Sequence, residues 1–138
     1  MPRWVCPQCE REFDKAGQGH VCVPGCTVDD TFAGRPEYQR EAYDAIIAFL
    51  DDLGPIHEDA VQVGVFLKRD RKLAEIRPMA RALSVELYLP RKVDDARVVR
   101  HYPIGRGRFV NVVRIKDGDA VDERMLGWIA EAYADAQN

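Results

Sequence analysis

At Gly54-Pro55 the hydrophobic pattern of the chain changes period, and that change constrains the fold more than any other feature. Before it, Ala42, Ala45, Ile46, Phe49, Leu50 and Leu53 recur at helical spacing, so one side of a helix is apolar. Pro36 suits the first turn of that helix, and glycine followed by proline stops it. After the stop, apolar residues alternate. Val61, Val63, Val65 and Leu67 interleave with Gln62, Gly64 and Phe66, which predicts a half-buried strand. Leu73 to Arg77 predicts a second strand, Leu83 to Leu89 a third and Phe109 to Ile115 a fourth. Asp119 then reads as the N-cap of a last helix whose apolar face is Val121, Met125, Trp128, Ile129, Ala132 and Ala136.

Short connections between consecutive strands favour an antiparallel meander with the helices on one face. The expectation is therefore an α+β domain over residues 27–138, with a four-stranded, mainly antiparallel sheet flanked by an N-terminal and a C-terminal helix. Thr27 and Asp30 form a capping-box pattern at its start, ahead of a single turn ended by Gly34. At 138 residues, 46% of them hydrophobic, the chain has material for one core. No apolar run is long enough to span a membrane. Trp4-Val5-Cys6 does not read as a signal peptide, so the expected location is the cytoplasm, where cysteines serve as metal ligands or free thiols rather than disulfides.

Residues 1–26 form a separate head with no sustained periodicity. Cys6-Pro7-Gln8-Cys9 places two thiolates on one side of an ion, and His20 and Cys22 follow across a loop able to bring a second pair round. Cys26 competes for the fourth position. Four protein ligands close a tetrahedral sphere and leave no position for water or substrate, so the expected Zn2+ is structural rather than catalytic. A thioredoxin-like redox site fits poorly, because no strand precedes the motif.

The stretch from Trp4 to Cys9, with Gln18-Gly19-His20-Val21-Cys22, resembles the N-terminal head on bacterial members of an uncharacterised family, domain of unknown function 5655. Similar too are Leu53-Gly54-Pro55, Lys68, Leu73-Ala74-Glu75-Ile76-Arg77-Pro78 and Ala130-Glu131-Ala132-Tyr133. The resemblance implies a compact α+β domain and prefers Cys22 to Cys26 as fourth ligand. It also implies a DNA-related context, since related domains are joined to nuclease-like ones, but no activity. Relatives commonly carry glycine after the second cysteine, where Glu10 stands here.

The net charge of −3 conceals a segregation along the chain. Residues 29–65 carry two basic and nine acidic side chains, residues 66–116 fourteen basic and five acidic, and residues 117–138 one basic and six acidic. Lys68, Arg69, Arg71 and Lys72 share one turn, while Arg106, Arg108 and Arg114 belong to the last strand and its approach. With helices on one face, these cations fall on the other, where Phe66 and Tyr88 offer aromatic surfaces. Phosphate contact plus base stacking needs those ingredients. The expected partner is thus a nucleic acid or another polyanion, with a protein partner as the alternative.

No catalytic constellation emerges. Ser84 lies in a regular strand rather than at a nucleophile elbow. The neighbours Asp51-Asp52 and Asp94-Asp95 point apart on any regular element. His57 and His101 have no partner that spacing identifies, so a small enzyme using His101 is the weakest reading.

Overall fold

The computed structural model describes residues 3–5, 7, 12–13, 15–17 and 26–137. In the head, β1 (Trp4–Val5) pairs antiparallel with β2 (Glu12–Phe13). Cys6, Cys9, His20 and Cys22, the expected zinc ligands, lie outside the described residues.

The capping box at Thr27 forms as expected. Its hydroxyl accepts from the Asp30 N–H at 3.1 Å, and the Asp30 carboxylate accepts from the Thr27 N–H at 3.0 Å, starting the five-residue helix α1 (Val28–Phe32). Helix α2 (Glu37–Leu53) follows Pro36 and ends at Gly54. The remaining elements are β3 (His57–Val61), β4 (Gly64–Lys68), β5 (Lys72–Pro78), β6 (Leu83–Leu89), β7 (Val98–Gly105), β8 (Arg108–Ile115) and α3 (Glu123–Asp135).

The sheet has six strands, not four, in the order β3-β4-β5-β6-β8-β7, every pair antiparallel. Two features of the chain account for the difference. The alternating run 61–67 is not one strand: it folds back at Gln62-Val63, pairing Val61 with Gly64. A two-residue turn without Asn, Asp or Gly at its centre carries no turn signature. Strand β7 is an edge strand with mostly exposed residues and no alternation, so it lacks a period-two signal. It is joined to β8 by Arg106-Gly107, both at positive φ (57° and 71°). Gly105-Arg106-Gly107-Arg108 is therefore a tight hairpin turn, for which the glycine is the easy residue. The N-cap of α3 is Asp122, whose side chain accepts from the Met125 N–H at 3.0 Å. Asp119 instead accepts from the Lys116 N–H and closes the preceding turn.

One core holds the domain. Tyr43, Ile46 and Leu50 of α2 and Met125, Ile129 and Ala132 of α3 pack with Val65, Leu67, Ile76, Val85, Leu87 and Val113 of the sheet. Between the Leu67–Ala74 and Lys68–Lys72 pairs the β4–β5 ladder slips by one residue. The bulge turns Leu73 into the core beside Ala74 and leaves Lys72 on the opposite face. No helix among the described residues is long and apolar enough to cross a membrane.

Asn111 is fully buried and ties the 91–97 segment to the sheet. Its Oδ1 accepts from the Val93 N–H at 2.8 Å, and its Nδ2 donates to the Arg91 carbonyl at 3.1 Å. Asn111→Leu orphans both backbone groups and should cost about 1–3 kcal/mol, read as a lower urea midpoint at unchanged slope.

Candidate anion-binding groove

Register places the outer face of the sheet in three rows. Asp59, Phe66, Glu75, Glu86, Val112 and Arg100 run across all six strands as successive partners. On one side of that row stand Arg77, Ser84 and Arg114. On the other stand His57, Lys68 and Lys72, with Tyr88, Val110 and Tyr102 beyond them. This face is polar but mostly packed. Glu75 and Glu86 face each other across β5 and β6, each about 8% exposed, and two carboxylates that close need cations or donors. Arg77 donates to Glu75 at 3.0 Å and lies 3.8 Å from Glu86. The Tyr102 hydroxyl donates to Glu86 at 2.7 Å. Burial, then that bond to a carboxylate, pushes the Tyr102 hydroxyl up to about 12, so it remains a donor at neutral pH.

At one end of this face the β3–β4 turn, the β5–β6 turn and the α1–α2 connection converge on a groove of about 370 Å3. Arg35, Arg77, Arg100 and Arg114 line it, with Gln62, Val63, Pro78, Met79, Ser84 and Glu86. Arg77 is engaged by Glu75. Among the described residues, no carboxylate pairs with Arg35, Arg100 or Arg114. The Arg114 guanidinium sits against the Met79 sulfur at 2.9 Å, and its Nε is buried with no hydrogen-bond partner. Three guanidinium groups free of acids, around one concavity, are suited to hold phosphate or carboxylate oxygens.

The family model described as Domain of unknown function (DUF5655) matches residues 28–136. The chain belongs to this family. No curated protein and no solved structure matches it. In this DUF5655 domain the cations singled out from sequence divide into two groups. Lys68, Arg69, Arg71 and Arg108 serve the structure. Lys68 bonds Asp59 at 2.7 Å and the Glu12 carbonyl at 3.0 Å. Helix α3 has no basic residue in its last turn. Arg69 reaches across to its Tyr133 carbonyl and Arg71 to its Asp135 carbonyl, supplying the positive charge that a helix C-terminus favours. Arg108 pairs with the Asp135 carboxylate at 2.7 Å. Arg106 is exposed at the β7–β8 turn, away from the groove lining. Lys72 is half-buried, its ammonium 4.2 Å from the Phe66 ring centre and 5.6 Å from that of Tyr88, and burial lowers its pKa. The two rings expected to offer stacking surfaces are thus covered by a cation. Only Arg114 of the seven lines the groove. Arg35, Arg77 and Arg100 escaped sequence reading because they are isolated in the chain and become neighbours only through strand register and the placement of the α1–α2 connection.

The DUF5655 domain has a second cleft, of about 470 Å3, where the head meets the sheet, lined by Glu12, Pro55, Ile56, His57, Lys68, Arg69 and Asp70. His57 bonds Asp59 there at 3.0 Å, and Asp59 is about 2% exposed. Asp59, Lys68 and His57 satisfy one another, and Arg69 is committed to α3, so this cleft holds the head in place. The other histidine considered, His101, has its Nε2 against the Val93 carbonyl at 2.8 Å, which holds that nitrogen as a donor. Of the cysteines in the sequence, Cys26 is described. It is partly buried, with its sulfur 3.9 Å from the Thr27 carbonyl. Among the described residues no cluster of His, Cys, Asp and Glu could hold a metal.

Proposed function

We propose that this protein is a non-enzymatic binding module that takes a nucleic acid on the open face of its sheet, with a zinc-stapled head packed at the other end of that face. The observation that supports this reading is the trio Arg35, Arg100 and Arg114, which share a groove and have no carboxylate partner among the described residues. They outnumber the one carboxylate of the lining, Glu86, which is already engaged by Arg77 and Tyr102, so an anion held between them would relieve their mutual repulsion. The head contributes by position: Arg3 donates to the Arg69 and Asp70 carbonyls, and the Glu12 carbonyl accepts from Lys68. It is fixed to the same face as the groove.

Binding of labelled single- and double-stranded oligonucleotides across a salt series tests the reading. Three phosphate contacts predict a slope of about −2 to −3 in log K against log salt, so affinity should fall roughly fifteen- to sixtyfold between about 50 and 200 mM salt. No binding at low salt removes the proposal, and salt-independent capture of a protein ligand points to an apolar interface instead.

For the head we expect about one zinc per chain by metal analysis, with Cys6 and Cys9 shielded from thiol reagents until a chelator is added. Cys22→Ser should release the ion while Cys26→Ser retains it. Release by Cys26→Ser alone would replace Cys22 with Cys26 in the ligand set of Cys6, Cys9 and His20.

A further inference from the structure

The groove has a second wall that the charge argument leaves unused. Val63 is 62% exposed and Met79 39% exposed. Both line the groove together with the arginines. Large apolar side chains this exposed cost nothing singly, but here they are gathered at the rim of a cationic site. The two walls touch, since the Arg114 guanidinium lies 2.9 Å from the Met79 sulfur. A ligand that satisfies both must carry an anionic group and a flat or apolar group within a few ångströms of each other. Gln62, at the tip of the β3–β4 turn, adds an amide that donates and accepts at the rim.

Resting on the nucleic-acid reading above, we infer that the groove receives one unpaired nucleotide, with its phosphate on Arg100, Arg114 and Arg35 and its base against Val63 and Met79. The argument runs from size, shape and chemistry together. A volume of about 370 Å3 lies at the small end of ligand pockets, which run from about 300 to 1,000 Å3; it has room for a single nucleotide and none for two paired strands. A duplex presents phosphates outward and keeps its bases stacked inside, so its bases cannot reach the Met79 wall without unpairing. An unpaired strand offers both groups at once. The rings of Phe66 and Tyr88 do not compete for the base, because Lys72 covers them. The groove therefore favours single strands or frayed ends over paired duplex, with little sequence preference, since an apolar wall accepts the face of any base.

The test compares four probes on the full chain by fluorescence anisotropy at low salt: a labelled single strand of about twelve nucleotides, its duplex, an abasic strand of the same length, and heparin. The single strand should bind about tenfold more tightly than the abasic strand or the duplex. Val63→Asn with Met79→Gln should bring the single strand down to the abasic level and leave abasic, duplex and heparin binding unchanged. Both positions are exposed, and a melting curve confirms that the variant folds. Equal affinity for single and abasic strands in the wild type overturns the inference while the polyanion reading stands. Binding of none of the four probes overturns both.

Discussion

Asp59→Asn should lower the stability of the protein by about 3–5 kcal/mol, because it breaks a buried ion pair with Lys68 by removing one partner only. The pair is 2.7 Å apart, with side-chain exposures of 1% for Asp59 and 11% for Lys68, so solvent screens it little. The ammonium also donates to the Glu12 carbonyl of the head, and it cannot swing outward without letting go of that strand. Replacing both partners, Asp59→Leu with Lys68→Met, should recover most of the loss in urea titrations, since removing a buried pair together spares its desolvation. If the double variant is as unstable as the single one, the charge explanation is wrong and the packing of Asp59 is what matters.

The same site sets a pH window. Burial pushes the Asp59 carboxyl upward, but the hydrogen bonds from His57 and Lys68 outweigh it and hold it below its ordinary value of 3.8. Its contribution is present above that value and is lost as pH falls through the lower folded one. His57 is raised above 6.5 mainly by its bond to Asp59, against burial. Its contribution is full below 6.5 and fades as pH rises through the raised folded value. Both are in force between roughly pH 4 and 6.5, and Asp59→Asn should flatten the stability profile at both edges of that interval.

Reversing two charges in the groove, Arg100→Glu with Arg114→Glu, should weaken oligonucleotide binding by at least about a hundredfold near 50 mM salt. It removes two of three phosphate contacts and adds like-charge repulsion, with a corresponding collapse of the salt slope. Arg106→Glu, at the exposed β7–β8 turn, changes net charge by half as much and should cost only a few-fold by anisotropy. Equal losses from the two variants would mean that general charge attracts the ligand and the groove does not. Since the Arg114 Nε is buried, thermal melts are needed to show that the double variant still folds.

Much of the scaffold is legible in the chain. The capping box at Thr27, helix α2 with its stop at Gly54, and strands β5, β6 and β8 follow from local signals, namely caps, apolar spacing and the residues that end each element. The β3–β4 hairpin is hidden by a turn made of Gln62 and Val63, and β7 by facing solvent on both sides. The binding face is legible only as a surplus of positive charge. Where that charge is densest in sequence, at 68–72, folding spends it on Asp59 and on the C-terminal carbonyls of α3. The groove draws instead on single arginines from the α1–α2 connection, β5, β7 and β8. Local sequence cannot report a juxtaposition that only a ladder of strand partners creates.

The two outermost strands carry a consequence for how the molecule behaves in a crowded solution. Beside β3 sits α1, whose Thr31 hydroxyl donates to the Val61 carbonyl at 2.5 Å. On β7 the ladder slips twice, and Pro103 has no N–H to offer. A neighbouring molecule meets a margin flanked by a helix at one strand and out of step at the other, which disfavours continuing the hydrogen-bond pattern. Both margins thus work against edge-to-edge pairing, even though Val99 and Ile104 lie exposed along one border.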